Sequence, residues 1–189
     1  SRRYSILLKR SIDIVASLAA LIAGLPLFLI IAAAIKLNSK GPVFFRQQRI
    51  GQYGKAFTFL KFRSMYTNND PAIHQEYVKN LICTSDSVSG NGCSQKKEVF
   101  KIQDDPRVTK VGRFIRKTSL DELPQFINVL KGEMSLVGPR PPIPYEFESY
   151  DIWHRRRVLD MKPGITGVWQ VEGRSRTTFN EMVRLDLYY

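Results

Sequence analysis

Cysteine, histidine and acidic residues are scarce in this chain. Its 189 residues include two cysteines, two histidines and 17 Asp+Glu against 29 Lys+Arg. The spacing of Cys83 and Cys93 matches no metal site, so they are free thiols in a reducing compartment or close a small loop in an oxidising one. The formal net charge of +12 indicates an anionic partner: nucleic acid, an acidic membrane surface or a phosphorylated small molecule.

Charge is absent altogether from residues 14–35. As a helix this run is long enough to cross a bilayer core of about 30 Å, and it is too long for the apolar part of a signal peptide. Gly24 and Pro26 lie in its middle, and proline removes one helical hydrogen bond, so a kink or break is expected near Leu25. Either a kinked helix crosses the bilayer, or two half-helices enter and leave on one face as a re-entrant hairpin.

Basic residues flank this run on both sides. They are Arg2, Arg3, Lys9 and Arg10 before it, and Lys36, Lys40, Arg46 and Arg49 after it. Because positive charge marks the cytoplasmic side of a membrane segment, a crossing helix would place one cluster on the wrong face. The flanks therefore favour a re-entrant helix hairpin broken at Pro26.

Two extended runs follow, around a glycine-containing turn at residues 51–54, and they predict a β-hairpin. The second run alternates, which places Lys61 and Arg63 on one face near the end of the strand. A solvated edge is the alternative interpretation of these two cations.

An acidic pair, Asp121 and Glu122, interrupts the basic character of the next segment. Basic and apolar residues at helical spacing predict one helix before the pair, and a second helix is expected from near residue 120 to Gly132. Pro124 is tolerated only in a first turn, which puts both acids near a helix N-terminus. Ser119 and Glu122 have capping-box spacing, which is a structural explanation. Catalysis is the alternative, with one carboxylate attacking phosphorus and the other binding magnesium.

Three stretches carry a family resemblance: "KFRSM" (61–65), "DPRVTKVGRFIRKTSLDELPQFINVLKGEMSLVGPRP" (105–141) and "KPGITGVWQVEGR" (162–174). They resemble the bacterial sugar transferases, the monotopic phosphoglycosyl transferases that start glycan assembly on a polyprenyl phosphate. The resemblance covers nearly all of the chain, including the basic N-terminus and the proline-containing apolar run.

The resemblance implies a reaction and a set of site residues. A UDP-sugar gives its sugar-1-phosphate to undecaprenyl phosphate with release of UMP, by a ping-pong route through a covalent phosphosugar on Asp121. Glu122, together with Asp121, would bind Mg²⁺. The implied substrate-binding residues are Lys61, Arg63, Arg116, Pro139, Arg140, Pro141 and Arg174.

The expected fold is of the α/β class, mixed and helix-rich, with a compact monotopic membrane domain, a short β-hairpin and interfacial amphipathic helices. Residues 1–40 would form the membrane segment and residues 41–189 a catalytic domain that stops short of its relatives' C-termini. The expected location is the cytoplasmic face of the bacterial inner membrane. Expected partners are the UDP-sugar, undecaprenyl phosphate and anionic inner-leaflet lipids, with a homo-oligomer as a further option and no nucleic acid, since aromatic and basic residues do not interleave.

Two rival functions remain open from the sequence. A membrane-anchored basic module would bind anionic lipid without catalysis. An inverting glycosyl transferase would release UDP and use a general base instead of a nucleophile. The identity of the sugar and the glycan pathway are open as well.

Overall fold

The computed structural model describes residues 2–67, 107–172 and 179–188. Its first element, α1, is one α-helix over Arg2–Asn38 with Pro26 inside it. The helix is therefore not divided into two half-helices at Gly24 and Pro26, and the re-entrant form stays a prediction. Proline removes one backbone hydrogen bond, and the remaining helical bonds keep the secondary structure continuous on both sides of it.

One face of α1 packs against the rest of the chain, and the opposite face is exposed. The buried positions recur at helical spacing: Asp13, Ser17, Ile31 and Ile35. The exposed positions are apolar, among them Leu7, Val15, Ile22, Leu29, Ile30 and Leu37. Within the described ranges, α1 is the one helix long and apolar enough to cross a membrane.

The N-terminal half of α1 is tied to the body of the protein by polar side chains. Near the N-terminal end, the Arg10 guanidinium donates to the carbonyl oxygens of Val129 (2.7 Å) and Leu130 (2.8 Å). Asp13 accepts hydrogen bonds from the Ser135 hydroxyl (2.8 Å) and from the Leu136 N–H (3.0 Å). The basic residues before the apolar run therefore help to dock the helix.

The predicted hairpin is confirmed. Strands β1 (Phe44–Ile50) and β2 (Ala56–Phe62) pair antiparallel. A 3₁₀ turn over Gln52–Gly54 joins them. The turn has two left-handed residues, Tyr53 (φ 60°) and Gly54 (φ 72°), as a tight connection between paired strands requires.

The segment around the acidic pair is helical in three pieces. Helix α2 spans Lys110–Lys117, a 3₁₀ turn spans Leu120–Glu122, and helix α3 spans Gln125–Lys131. Gly132 (φ 83°) ends α3, as predicted. The second helix begins later than expected because Pro124 has no N–H to donate and stands at the N-cap of α3.

The C-terminal part adds short elements around a separate apolar cluster. They are β3 (Ser135–Val137), α4 (Pro144–Glu148), α5 (Ile152–Asp160), β4 (Gly164–Thr166), α6 (Val168–Glu172) and α7 (Phe179–Tyr188). Strands β3 and β4 pair in parallel, which the sequence did not predict. The cluster consists of Tyr150, Val158, Trp169, Met182 and Val183. The observed fold is thus mixed and helix-rich, as expected.

The side chain of Asn128 on α3 forms hydrogen bonds with the backbone of β2. Its amide donates to the Thr58 carbonyl oxygen (2.7 Å) and to Glu133 Oε2 (2.6 Å), and its Oδ1 accepts the Leu60 N–H (3.2 Å). The side chain is fully buried. It therefore fixes α3, and the acidic turn before it, against the hairpin.

We expect Asn128→Ala to destabilise the protein by about 2–4 kcal/mol, because it leaves a partly buried strand N–H and a partly buried carbonyl without these partners. The melting temperature in detergent should fall by about 5–15 °C. Gln48→Ala, at an exposed position on β1, is the control and should change stability by at most about 0.5 kcal/mol. Equal melting of the two variants would contradict this account.

Candidate active site

The acidic pair stands on a strained turn. Ser119 precedes the 3₁₀ turn with φ 58° and ψ 15°, a left-handed conformation that is uncommon outside glycine, and its side chain forms no capping hydrogen bond. The capping-box interpretation is therefore wrong. Backbone strain of this kind costs about 1–3 kcal/mol and clusters at functional sites. Asp121 on the turn is 8% exposed.

Apolar residues on either side of the pair hold the turn against α1. Leu120 and Leu123 pack on the buried cluster formed by Ile31, Ile35, Phe62 and Ile115. The two isoleucines belong to α1 and Phe62 ends β2. The acids are thus placed directly beside the candidate membrane helix.

Lys61 is a cation that contacts both acids. Its Nζ lies 2.8 Å from Glu122 Oε1 and 4.0 Å from Asp121 Oδ2. Burial lowers the pKa of Lys61, the charges of Glu122 and Asp121 raise it, and the charge of Arg140 lowers it. The Glu122 carboxylate thus bonds a cation on β2, 61 residues away along the chain, and its role in catalysis stays a prediction.

Arg140 lies near Lys61, on a loop over residues 138–142 that hydrogen bonds attach to both sheets. The Gly138 N–H donates to the Thr166 carbonyl oxygen (2.9 Å), and the Ile50 N–H donates to the Pro142 carbonyl oxygen (2.9 Å). Pro139 and Pro141 are buried while Arg140 is partly exposed. Gly138 is needed because a Cβ there would overlap the Lys162 backbone. The prolines frame the arginine, and the sequence analysis named all three together.

Arg49 lies beside Lys61 and Arg140 and was not predicted as a site residue. Its guanidinium donates to the Pro141 carbonyl oxygen (2.8 Å) and stands 5.2 Å from the Phe59 ring centroid, and Lys61 Nζ lies 5.4 Å from the same centroid. Burial, and next the charge of Arg140, lower the pKa of Arg49 to about 10. The pairing register of β1 with β2 was the missing information. Alternation along the strand alone did not distinguish Arg49 from the other basic residues after α1.

The remaining predicted residues have different positions. Arg116 lies partly buried in the last turn of α2, five residues before Asp121. The hydrogen bonds of Arg63 run to the C-terminal end of α1 and not to the acids. Arg174, Cys83 and Cys93 lie outside the described residues.

Magnesium binding by the acidic pair stays a prediction. In the described part of the chain, no group of three or more His, Cys, Asp or Glu side chains is placed to hold a metal ion. Mg²⁺ often takes only one or two carboxylates together with substrate phosphates. Glu122 is one-third exposed at its side chain, so the donor set fits Mg²⁺ that arrives with a diphosphate.

Comparison with known proteins adds a consistent result. A family model described as "Bacterial sugar transferase" matches residues 4–189. The galactosyl transferase CpsE of Streptococcus agalactiae is 45% identical over 190 residues, which are 99% of this chain and 39% of the relative. The exopolysaccharide production protein ExoY of Sinorhizobium fredii is 41% identical over 96% of this chain and 76% of its own length.

A third relative has a more specific name. The undecaprenyl-phosphate galactose phosphotransferase of Salmonella typhimurium is 44% identical over 191 residues, which are 100% of this chain and 37% of the relative. The chain thus spans under two-fifths of the length of CpsE and of this phosphotransferase, and about three-quarters of ExoY.

Proposed function

We propose that this chain, which belongs to the bacterial sugar transferase family, transfers sugar-1-phosphate from a UDP-sugar to undecaprenyl phosphate and releases UMP. Relatives named for galactose and glucose phosphate transfer to undecaprenyl phosphate support this reaction. The observation that carries it is the buried Asp121 beside the Lys61 ammonium, on a turn packed against α1. Such a carboxylate can attack phosphorus at the surface of a membrane.

The reaction proceeds in two displacements. An Asp121 carboxylate oxygen bonds to the phosphorus that carries the sugar, the bond from that phosphorus to the bridging oxygen breaks, and UMP leaves with the bridging oxygen. A phosphate oxygen of undecaprenyl phosphate then bonds to the same phosphorus and the Asp121 oxygen leaves. The product is undecaprenyl-diphospho-sugar, and the carboxylate is regenerated.

The cations around the acids stabilise the charge that moves in both steps. Lys61 contacts both carboxylates, and Arg140 approaches Lys61 closely enough to lower its pKa. Arg116, Arg140 and Arg174 would contact substrate phosphates or uridine, since guanidinium groups bind phosphate in a bidentate manner. Mg²⁺ held by Glu122 and Asp121 would neutralise the diphosphate.

The contacts of α1 support a helix that does not cross the membrane. Its N-terminal part bonds α3 and β3, and its C-terminal end bonds Arg63, so both ends attach to one body. That body would lie on the cytoplasmic face of the inner membrane, with basic residues on anionic lipid headgroups. The head of a polyprenyl phosphate lies at this interface, within reach of the turn beside α1.

Cysteine accessibility tests this topology. With the native cysteines replaced by serine, single cysteines at Arg3 and at Lys40 should both react with a membrane-impermeant maleimide from the cytoplasmic side of inverted vesicles. Both should stay unlabelled in sealed right-side-out vesicles. Reaction of the two positions from opposite sides would show a spanning helix.

The reaction is tested with a UDP-sugar labelled at the β-phosphorus. Without lipid acceptor, we expect the label to remain on the denatured protein and UMP to appear in equal amount. Added undecaprenyl phosphate should then move the label into the lipid fraction. Release of UDP would instead support an inverting glycosyl transferase, and binding without nucleotide release would support a basic lipid-binding module.

A further inference from the structure

Arg63 follows β2 directly and is buried without reaching the acidic pair. Its guanidinium donates to the Ser39 carbonyl oxygen (2.7 Å), the Ser39 hydroxyl (2.9 Å) and the Lys40 carbonyl oxygen (3.1 Å). The last carbonyls of an α-helix have no partner inside the helix and form its negative end. Arg63 therefore supplies both the donors and the positive charge that the C-terminal end of α1 requires.

The backbone at Gly41 leaves space for this guanidinium. Gly41 has φ +125°, and a Cβ at that position would overlap the Arg63 guanidinium. The Arg63 N–H donates to the Val43 carbonyl oxygen (2.9 Å), which fixes the backbone where the side chain starts. The side chain is thus enclosed between α1 and the segment that leads into β1.

The two residues before Arg63, Phe62 and Lys61, connect it to the acidic pair. Phe62, 1% exposed, stacks on Phe44 with ring centroids 5.5 Å apart and contacts the Phe28 ring of α1 at 5.2 Å. Lys61, next along the strand, bonds Glu122 at 2.8 Å. Three consecutive side chains therefore connect the end of α1, its apolar face and the acids.

From this arrangement we infer that Arg63 is a positioning residue, which sets the place of Lys61 at the acidic pair by docking the C-terminal end of α1 onto β2. Lys61 then contacts the two acids correctly only when the C-terminal end of α1 is docked on β2. The inference rests on the proposed function, because its effect is read through formation of the phosphosugar on Asp121. It also explains why an arginine expected to bind substrate faces away from the acids.

Arg63→Gln and Gly41→Ala disturb this contact from its two sides. We expect each to slow covalent labelling by β-labelled UDP-sugar between about tenfold and a hundredfold, since a misplacement of about 1 Å costs that much. The KM for the UDP-sugar should change less than about twofold, because the guanidinium of Arg63 is engaged by residues 39 and 40. Arg63→Lys keeps the charge and should recover part of the rate. Arg46→Gln, the same change at an exposed position on β1, should label like wild type.

The rate constant of labelling, together with rescue by the conservative variant, separates positioning from a general loss of stability. A loss of folded protein would lower the labelled fraction at every substrate concentration without changing the rate constant. A misplaced Lys61 would instead lower the rate constant, and Arg63→Lys would restore part of it. Rates are measured below the melting temperature of each variant.

Each outcome decides the inference. Wild-type labelling in both Arg63→Gln and Gly41→Ala would overturn it and leave the proposed function intact. A smaller labelled fraction with an unchanged rate constant, or no recovery in Arg63→Lys, would also overturn it, since either result describes a merely structural residue. If Arg63→Gln does not fold, Arg63→Lys and Gly41→Ala decide. Failure of the wild-type protein to take up label or release UMP would instead contradict the proposed function.

Discussion

Asp121→Asn is expected to abolish covalent labelling by the UDP-sugar and to lower turnover at least about a thousandfold, which is a typical loss when a nucleophile is removed. Asparagine has nearly the shape of aspartate, so the strained turn and the packing of Leu120 and Leu123 should persist. The amide nitrogen and neutral oxygen cannot form a stable bond to phosphorus under these conditions. Acid-quenched gels with β-labelled UDP-sugar measure the effect directly.

Two further acid variants make this result specific. Asp160→Asn alters an exposed acid that pairs with Arg156 on α5 and should label like wild type. Glu122→Gln should still label, more slowly, because it keeps the nucleophile and loses a ligand for the metal and a partner for Lys61. Full labelling of Asp121→Asn would assign the nucleophile to another side chain, and equal loss in Asp160→Asn would indicate a defect of folding.

Sequence pattern predicted the elements whose signal is local. The hairpin at residues 44–62, the stop at Gly132 and the apolar first helix all follow from turn chemistry and periodicity. The acidic pair and Arg140 stood out because of their contrast with a basic chain and a proline frame. These features depend on neighbours along the chain, which the sequence displays directly.

What the sequence missed depends on contacts between distant segments. Arg49 looks like any other basic residue, and Arg63 like a second substrate-binding cation, until the hairpin register and the docking of α1 place one on the Pro141 carbonyl oxygen and the other on Ser39. The capping-box spacing of Ser119 and Glu122 failed because Lys61, 61 residues before Glu122, offers that carboxylate a stronger, charged partner. Pro26 did not divide α1, because the helical hydrogen bonds continue on both sides of it.

Loss of the Lys61 ammonium should have the second-largest effect on activity. Lys61→Met leaves two adjacent carboxylates without the cation that contacts both, and we expect labelling to slow by about a hundredfold to a thousandfold, as for removal of one preorganised electrostatic group. Lys55→Met, at an exposed position in the hairpin turn, is the matched control and should label normally. Comparable slowing in both variants would contradict a specific role for Lys61.

The pH profile of the wild-type protein should carry the signature of the same ammonium. Burial lowers the pKa of Lys61, so as pH rises the cation is lost earlier than for an exposed lysine, and kcat/KM should decline below the usual lysine range. In Lys61→Arg the guanidinium keeps its charge to higher pH than an ammonium does, so this alkaline decline should move to higher pH even if the absolute rate is lower. Profiles between about pH 7 and 11, each with the melting temperature at the same pH, separate titration from unfolding. A decline that persists unchanged in Lys61→Arg would mean that another group titrates, and the electrostatic account of the acidic pair would have to be built on that group.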